Sequence, residues 1–220
     1  MQISTSTFEF LRALKENNNR EWFNAHKAEY EKSYDNMLNF VQALIQKLST
    51  FDPHILDSIS AKQCLFRIYR DVRFSKDKSP YKTWLAAGIS IDGRKLDGPE
   101  YYIHFEPDNS FLAVGYWRPK KEHLDKIRQE IDYNLEAFEE ALKEGGWSDQ
   151  DLSQEDKLVR APAGYEENNP AIEYLKLKSF IIYKPLSDRE VLKPFALEDI
   201  VSIFQRTIHF KNFLHEAIEY

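Results

Sequence analysis

Along this 220-residue chain the spacing of apolar residues changes period twice, and that change limits the fold more than any single motif. Residues 5–16 place Phe8, Leu11 and Leu14 three apart, which is the spacing of one helix face. Asn17-Asn18-Asn19 interrupts this run and can cap the next helix, because an Asn side chain accepts from free N–H groups at a helix start. Residues 20–48 then read as one long helix, with Trp22, Phe23, Tyr30, Met37, Val41, Leu44 and Leu48 near one stripe. Near Gln63 the period becomes two. Cys64, Phe66 and Ile68 share one strand face, and Arg67 and Tyr69 the other. Residues 84–91 alternate Leu85, Ala87 and Ile89 against Trp84, Ala86 and Gly88. Two more strands, 101–106 and 111–117, flank Pro107-Asp108-Asn109-Ser110, a hairpin turn.

Helical spacing returns over 119–142 and stops at Gly145-Gly146. A short strand at 158–160, a short helix at 170–177 and a strand at 180–184 follow, and helical spacing resumes from Ala196. Sequential strands between blocks of helix predict one α+β domain over residues 1–220. Its sheet is expected to be antiparallel or mixed, with about four to six strands and helices on at least one face. No Gly/Ser- or Pro-rich linker divides the chain.

Composition removes several functional classes. Hydrophobic residues make up 42% and aromatics 14%, enough for a packed core and too much for a disordered chain. The single cysteine, Cys64, excludes an intrachain disulfide and a Cys-based metal cluster, and its strand position predicts a buried, inert thiol. The histidines, at 26, 54, 104, 123, 209 and 215, include no pair four apart, so neither metal nor cofactor is expected. Phosphate-binding Gly-rich loops, nucleophile elbows and His-Glu-x-x-His helices are missing. No run approaches a membrane span, and the N-terminus lacks the order of a secretory signal. With the lone thiol, this leads to an expected cytoplasmic setting. Residues 130–156 hold ten acids against one base, Lys143, and read as a solvated face and loop.

The net charge of −6 hides one exception. Residues 67–82 carry Arg67, Arg70, Arg73, Lys76, Lys78 and Lys82 against Asp71 and Asp77, a local +4 that leaves −10 for the rest. A compact cationic patch on an acidic protein attracts small anions better than long polyanions. Arg guanidiniums hold phosphate or carboxylate in a fixed plane, and Lys76 and Lys78 add point charges. Ser75 adds a hydroxyl, and Tyr81 a phenol and an aromatic face. A turn at Asp71-Val72 would let the arginines converge, so Arg70 and Arg73 are expected in one pocket. The alternative is an internal salt-bridge network through Asp71 and Asp77.

Residues 70–82, Arg-Asp-Val-Arg-Phe-Ser-Lys-Asp-Lys-Ser-Pro-Tyr-Lys, resemble the signature of the bacterial and fungal domain-of-unknown-function family 2461. The resemblance continues through Asn18-Asn19-Arg20-Glu21-Trp22-Phe23, Tyr101-Tyr102-Ile103-His104 and Gly115-Tyr116-Trp117-Arg118-Pro119. It also takes in Pro162-Ala163-Gly164-Tyr165, Pro170 and Leu177-Lys178-Ser179-Phe180. Asn169 stands where the family would have a His before the proline. The resemblance spans nearly the whole chain, implies a single domain and names no substrate.

In the strand at 101–106, Tyr102, His104 and Glu106 share one face, and Tyr101, Ile103 and Phe105 the other. If the strands pair as a meander, Arg67 and Tyr69 look across at His104 and Tyr102. That wall suits a planar or anionic ligand, with His104 the candidate general acid or base. The alternative is a hydrogen-bonded histidine beneath a covering helix. Arg118, at a strand-to-helix joint, is a further candidate. Ser75, His104 and Asp77 could compose a Ser–His–Asp set, although no elbow motif accompanies them. The expected function is therefore the binding of a small phosphate- or carboxylate-bearing ligand. Docking of an acidic protein partner is the alternative, and nucleic-acid binding is disfavoured by the overall acidity.

Overall fold

The computed structural model describes residues 1–219. Helix α1 (Thr5–Glu16) starts at Ser4, whose hydroxyl accepts from the Thr7 N–H, and it buries Phe8, Leu11 and Leu14. Asn19 caps α2 (Arg20–Ala25) in the same way by accepting from the Trp22 N–H. Then α3 (Lys27–Leu48) begins, so the helix predicted over 20–48 breaks at His26. There ψ is 25°, and His26 Nδ1 lies 2.8 Å from the Trp22 carbonyl oxygen while the two rings stack at 4.0 Å. A side chain that engages a backbone group of the preceding turn competes with regular helix.

The remaining elements are α4 (Ala61–Cys64), β1 (Leu85–Ile89), β2 (Glu100–Phe105), β3 (Ser110–Tyr116), α5 (Lys121–Tyr133), α6 (Leu135–Glu144), α7 (Ile172–Leu175), β4 (Phe180–Leu186), α8 (Asp188–Leu192), α9 (Ala196–Gln205) and α10 (Ile208–Glu219). The strands form one antiparallel sheet in the order β1-β2-β3-β4, with helices packed against it, so the fold class is α+β. No helix among the described residues is long and apolar enough to cross a membrane.

Two compact units emerge. The first comprises Met1–Arg94, Tyr102–Leu112 and Pro185–Ser202. Its core joins α1 and α3 through Phe8, Leu11, Met37, Phe40 and Leu44, all fully buried, and Phe40 meets Phe105 of β2 edge-on at 5.4 Å. The second comprises Lys95–Tyr101, Ala113–Lys184 and the chain from Ile203. Its core gathers Ile127, Ile131, Phe138, Leu142, Phe180 and Phe210, with Phe138 edge-on to Phe213 at 5.2 Å.

Four further expectations need correction. The strand expected at 64–70 is absent. Cys64 ends α4, buried as expected, and only isolated antiparallel bridges follow, Leu65 to Ala87 and Tyr69 to Tyr81. Four residue steps on one arm face six on the other, so an unbroken ladder cannot form. Helical residues 119–142 divide at Asn134, whose ψ of 46° leaves the helical region and whose side chain bonds Glu130 at 2.7 Å. Residues 158–160 form no strand. The Leu158 N–H donates to the Lys176 carbonyl at 2.8 Å, Val159 is exposed, and β4 is bridged instead by Leu152 to Ile182. Strand β1, expected to alternate, is buried at all five positions because α3 and α4 pack on it and Ala86 and Gly88 are small.

Gly115 has φ of +128° in β3, and a Cβ there would lie 2.0 Å from the Phe180 carbonyl oxygen. Both the backbone conformation and the clash penalise a side chain. Gly115→Ala is expected to lower the unfolding free energy by about 2 kcal/mol or more, read by denaturant titration.

Candidate functional site

The basic segment is a loop pinned at its base. The Arg70 N–H donates to the Pro80 carbonyl at 2.9 Å, and the Lys82 N–H to the Ile68 carbonyl at 2.8 Å, on either side of the Tyr69–Tyr81 bridge. Asn18 adds a clamp from the α1–α2 turn. Its Nδ2 donates to the Tyr81 carbonyl at 2.9 Å and its Oδ1 accepts from the Tyr81 N–H at 3.1 Å. An amide side chain thus does for Tyr81 what a neighbouring strand would do. The Tyr81 ring, only 5% exposed, stacks on Phe23 at 3.9 Å, which adds roughly 1 kcal/mol beyond burial.

Within the loop, most of the charge pairs internally. Arg73 grips Asp71 in two places, Nε to Oδ1 at 3.0 Å and Nη2 to Oδ2 at 2.7 Å. Arg70 Nη1 bonds Asp77 and the Ser79 carbonyl. Asp77 Oδ1 also accepts from the Ser79 N–H at 2.9 Å and hydroxyl at 2.7 Å. These hydrogen bonds, from Ser79 first and then Arg70, hold the Asp77 carboxyl well below the usual carboxylate range. Arg73 does the same for Asp71. Lys78 Nζ donates to the Val72 carbonyl at 2.9 Å. Arg67 and Lys76 are exposed and make no ion pair among the described residues.

Beside this loop lies a cleft of about 550 Å³. Lys15 and Asn18 from the first helical hairpin, Arg70, Asp71, Asp77 and Ser79 from the loop, and Tyr81, Lys82, Thr83 and Trp84 from its exit line it. Lys82 and Lys15 are the cations here without a carboxylate partner among the described residues. Lys82 Nζ sits 4.5 Å from the Trp84 ring centroid and 5.4 Å from that of Phe66, and burial pushes its ammonium below the ordinary lysine value.

Thr83 connects the cleft to the polar face of β2. Its hydroxyl donates to Glu106 Oε1 at 2.8 Å, and Asn109 Nδ2 donates to Oε2 at 2.9 Å. His104 Nε2 lies 3.6 Å from Oε2, and its Nδ1 is 3.1 Å from the Tyr102 hydroxyl. His104, 7% exposed, stacks on Phe111 at 4.6 Å and meets Trp84 at 4.7 Å. Burial pushes its imidazole down from the ordinary histidine value, against the pull of Glu106. Burial raises Glu106, but the bonds from Asn109 and Thr83 outweigh it and keep the carboxyl low.

Of the candidates read from sequence, Arg70, Tyr81 and Lys82 line the cleft. Arg73 turns to Asp71 and does not share it. Tyr69 packs towards Tyr81 and Phe23. Phe66, not Arg67, faces the Tyr102 ring, at 6.0 Å, because the irregular arm shifts the register. Ser75 makes no side-chain bond to His104, and Asp77 is held by Arg70 and Ser79, so the Ser–His–Asp set is not assembled. Arg118 belongs to the second unit and pairs with Asp156, its guanidinium 5.2 Å from the Trp117 ring. Lys15, Thr83 and Trp84 escaped the sequence reading. Glu106 was noted only for sharing a face with His104.

A family model described as Conserved hypothetical protein (DUF2461) matches residues 6–213. The chain belongs to this family. No curated protein and no solved structure matches it. The DUF2461-like runs noted in the sequence build the pinned loop, the Asn18 clamp and the polar face of β2. Asn169, where a His was expected, bonds Asp132 at 2.6 Å and accepts from the Ala171 N–H at 2.7 Å.

His104 supplies a pH test. Its folded-state pKa is depressed, so the unfolded chain takes up the proton first and stability falls as pH drops below about 6.5. Glu100, pushed up to about 7 by burial, acts in the opposite direction, so two proteins are compared rather than one curve. Between about pH 7 and pH 5 the wild type should lose more stability than His104→Gln, by urea titration at each pH. Equal losses would contradict the depressed pKa.

Proposed function

We propose that the cleft beside the basic loop binds a small anion, held through a phosphate or carboxylate group. The carrying observation is an imbalance of pairing inside one concavity. Its acids, Asp71 and Asp77, are committed to Arg73, Arg70 and Ser79, whereas Lys15 and Lys82 have no acid. Arg70 adds Nε and Nη2, which make no bond among the described residues, in a fork suited to an oxyanion. A half-buried ammonium without a counter-ion is costly, and an anion beside it returns that energy. The volume suits a small molecule and not a polymer.

Inorganic phosphate is expected to raise the melting temperature, since a ligand of the folded state stabilises it by mass action. Lys82→Met and Lys15→Met should each weaken phosphate binding by about tenfold, the size of one charge-assisted contact. A panel of phosphates and carboxylates that shifts neither melting nor calorimetric signal would sink this reading.

One observation favours a second reading, docking of an acidic protein partner. Phe74 at the loop tip is 96% exposed and stands among Arg73, Lys76 and Lys78. An exposed aromatic with an arginine 5.9 Å from its ring centroid combines two residue types enriched at protein interfaces. Here Phe74→Ala should abolish capture of an acidic partner while leaving phosphate binding unchanged. Retained capture would remove the docking role.

A further inference from the structure

We infer that the cleft selects an anion carrying its own hydrogen-bond donor, such as hydrogen phosphate or a hydroxy-carboxylate, over an oxyanion without one, such as sulfate. The inference rests on the anion-binding reading of the same cleft and specifies its ligand class.

A hydroxyl carries a single hydrogen. Thr83 donates that hydrogen to Glu106 Oε1 at 2.8 Å. Glu106 cannot share the bond in the other sense, because an ionised carboxylate only accepts. Its second oxygen accepts from Asn109 at 2.9 Å, so each carboxylate oxygen already meets a donor. The same bonds keep it ionised, with its pKa below the usual range. Thr83 lines the cleft, and its hydroxyl, having given its hydrogen to Glu106, has only lone pairs left to offer a ligand. Asp71 and Asp77, also in the lining, already accept from Arg73, Arg70 and Ser79, which leaves Thr83 to set the demand.

The cleft then combines two demands. Lys15, Lys82 and the unused guanidinium nitrogens of Arg70 require negative oxygen. Thr83, its hydrogen spent on Glu106, can be met only by a donor. Hydrogen phosphate satisfies both with one tetrahedral group, and glycolate does so with a carboxylate and its adjacent hydroxyl. Sulfate has nearly the shape of phosphate and no hydrogen at neutral pH. It would set its lone pairs against those of Thr83. A site built to receive a ligand O–H rejects the analogue lacking it, because the site's own polar groups are left unpaired.

The test is titration calorimetry of the full chain near neutral pH with inorganic phosphate, sulfate, glycolate and acetate. Phosphate should bind at least about tenfold more tightly than sulfate, and glycolate should exceed acetate similarly, the size of one hydrogen bond at a charged site. Thr83→Ser should keep both ratios. Thr83→Val should bring them towards one, with circular dichroism confirming the fold. Glu106→Gln tests the direction of the bond. The Asn109 amide must still meet an oxygen, so the new amide nitrogen faces Thr83 and donates to it. The Thr83 hydrogen is then released into the cleft, and sulfate should bind more tightly than in the wild type. Equal binding of phosphate and sulfate by the wild type would overturn the inference while leaving the anion site intact. Unchanged ratios in Thr83→Val would overturn it too. Failure of all four anions to bind would overturn the anion site itself.

Discussion

The closure of the basic loop at its base is the constraint on which the cleft depends. Six cationic side chains between residues 67 and 82 repel one another, and an unpinned loop would splay them into water. Two backbone bonds, the Asn18 amide and the Phe23–Tyr81 stack hold the two arms together instead. Asn18 is decisive because its donor and acceptor both reach one residue. It ties the α1–α2 turn to the loop exit and so brings Lys15 beside Lys82. The cleft wall is thus assembled from two distant stretches of chain by one side-chain amide.

Charge in the loop divides by role. Arg70 and Arg73 are largely consumed in holding the loop to itself, through Asp77 and Asp71. Exposed pairs of this kind contribute little to stability, so their main effect is to define conformation. The lysine at the loop exit behaves differently. It lies against two aromatic rings, half out of water, with no acid to compensate. Of the charges legible in the sequence, Arg73 and part of Arg70 are spent within the loop, and the net charge of −6 obscures a small set of unneutralised cations in one concavity.

The architecture was legible wherever periodicity was long or a turn was explicit. The α1 stripe, the Pro107–Ser110 turn between β2 and β3 and the two contrasting faces of β2 all follow from residue spacing. Breaks at His26 and Asn134 were not, since a side chain that bonds its own preceding turn leaves the apolar stripe unchanged. The arm at 65–69 misled for a related reason. Its alternation is real, but the partner arm is two residues longer between bridges, and register cannot be read from one strand. The site divides the same way. Arg70, Tyr81 and Lys82 were visible as a charged run. Lys15 and Thr83 have no local pattern and become significant only through the Asn18 clamp and the bond to Glu106.

Tyr102, His104, Glu106 and Thr83 lie along a polar line that runs from β2 towards the cleft, with hydrogen bonds at its two ends and a 3.6 Å approach between His104 and Glu106. Such a line is expensive in a sheet. His104 Nε2 is buried with no hydrogen-bond partner among the described residues, and an unsatisfied buried polar atom costs about 1–3 kcal/mol. An apolar pair at these positions would pack at lower cost. What the polar line provides is orientation. Strand β2 carries His104 and ends just before Glu106, Asn109 locks the carboxylate from the turn, and Glu106 fixes the hydroxyl of Thr83. A group oriented by rigid neighbours meets its ligand without an ordering penalty, which a loop side chain such as Lys76 cannot do. The departure from an apolar sheet face therefore falls where the cleft begins, and under the proposed reading of the cleft it is the scaffold, not the charged loop, that would set the direction of the hydrogen bond.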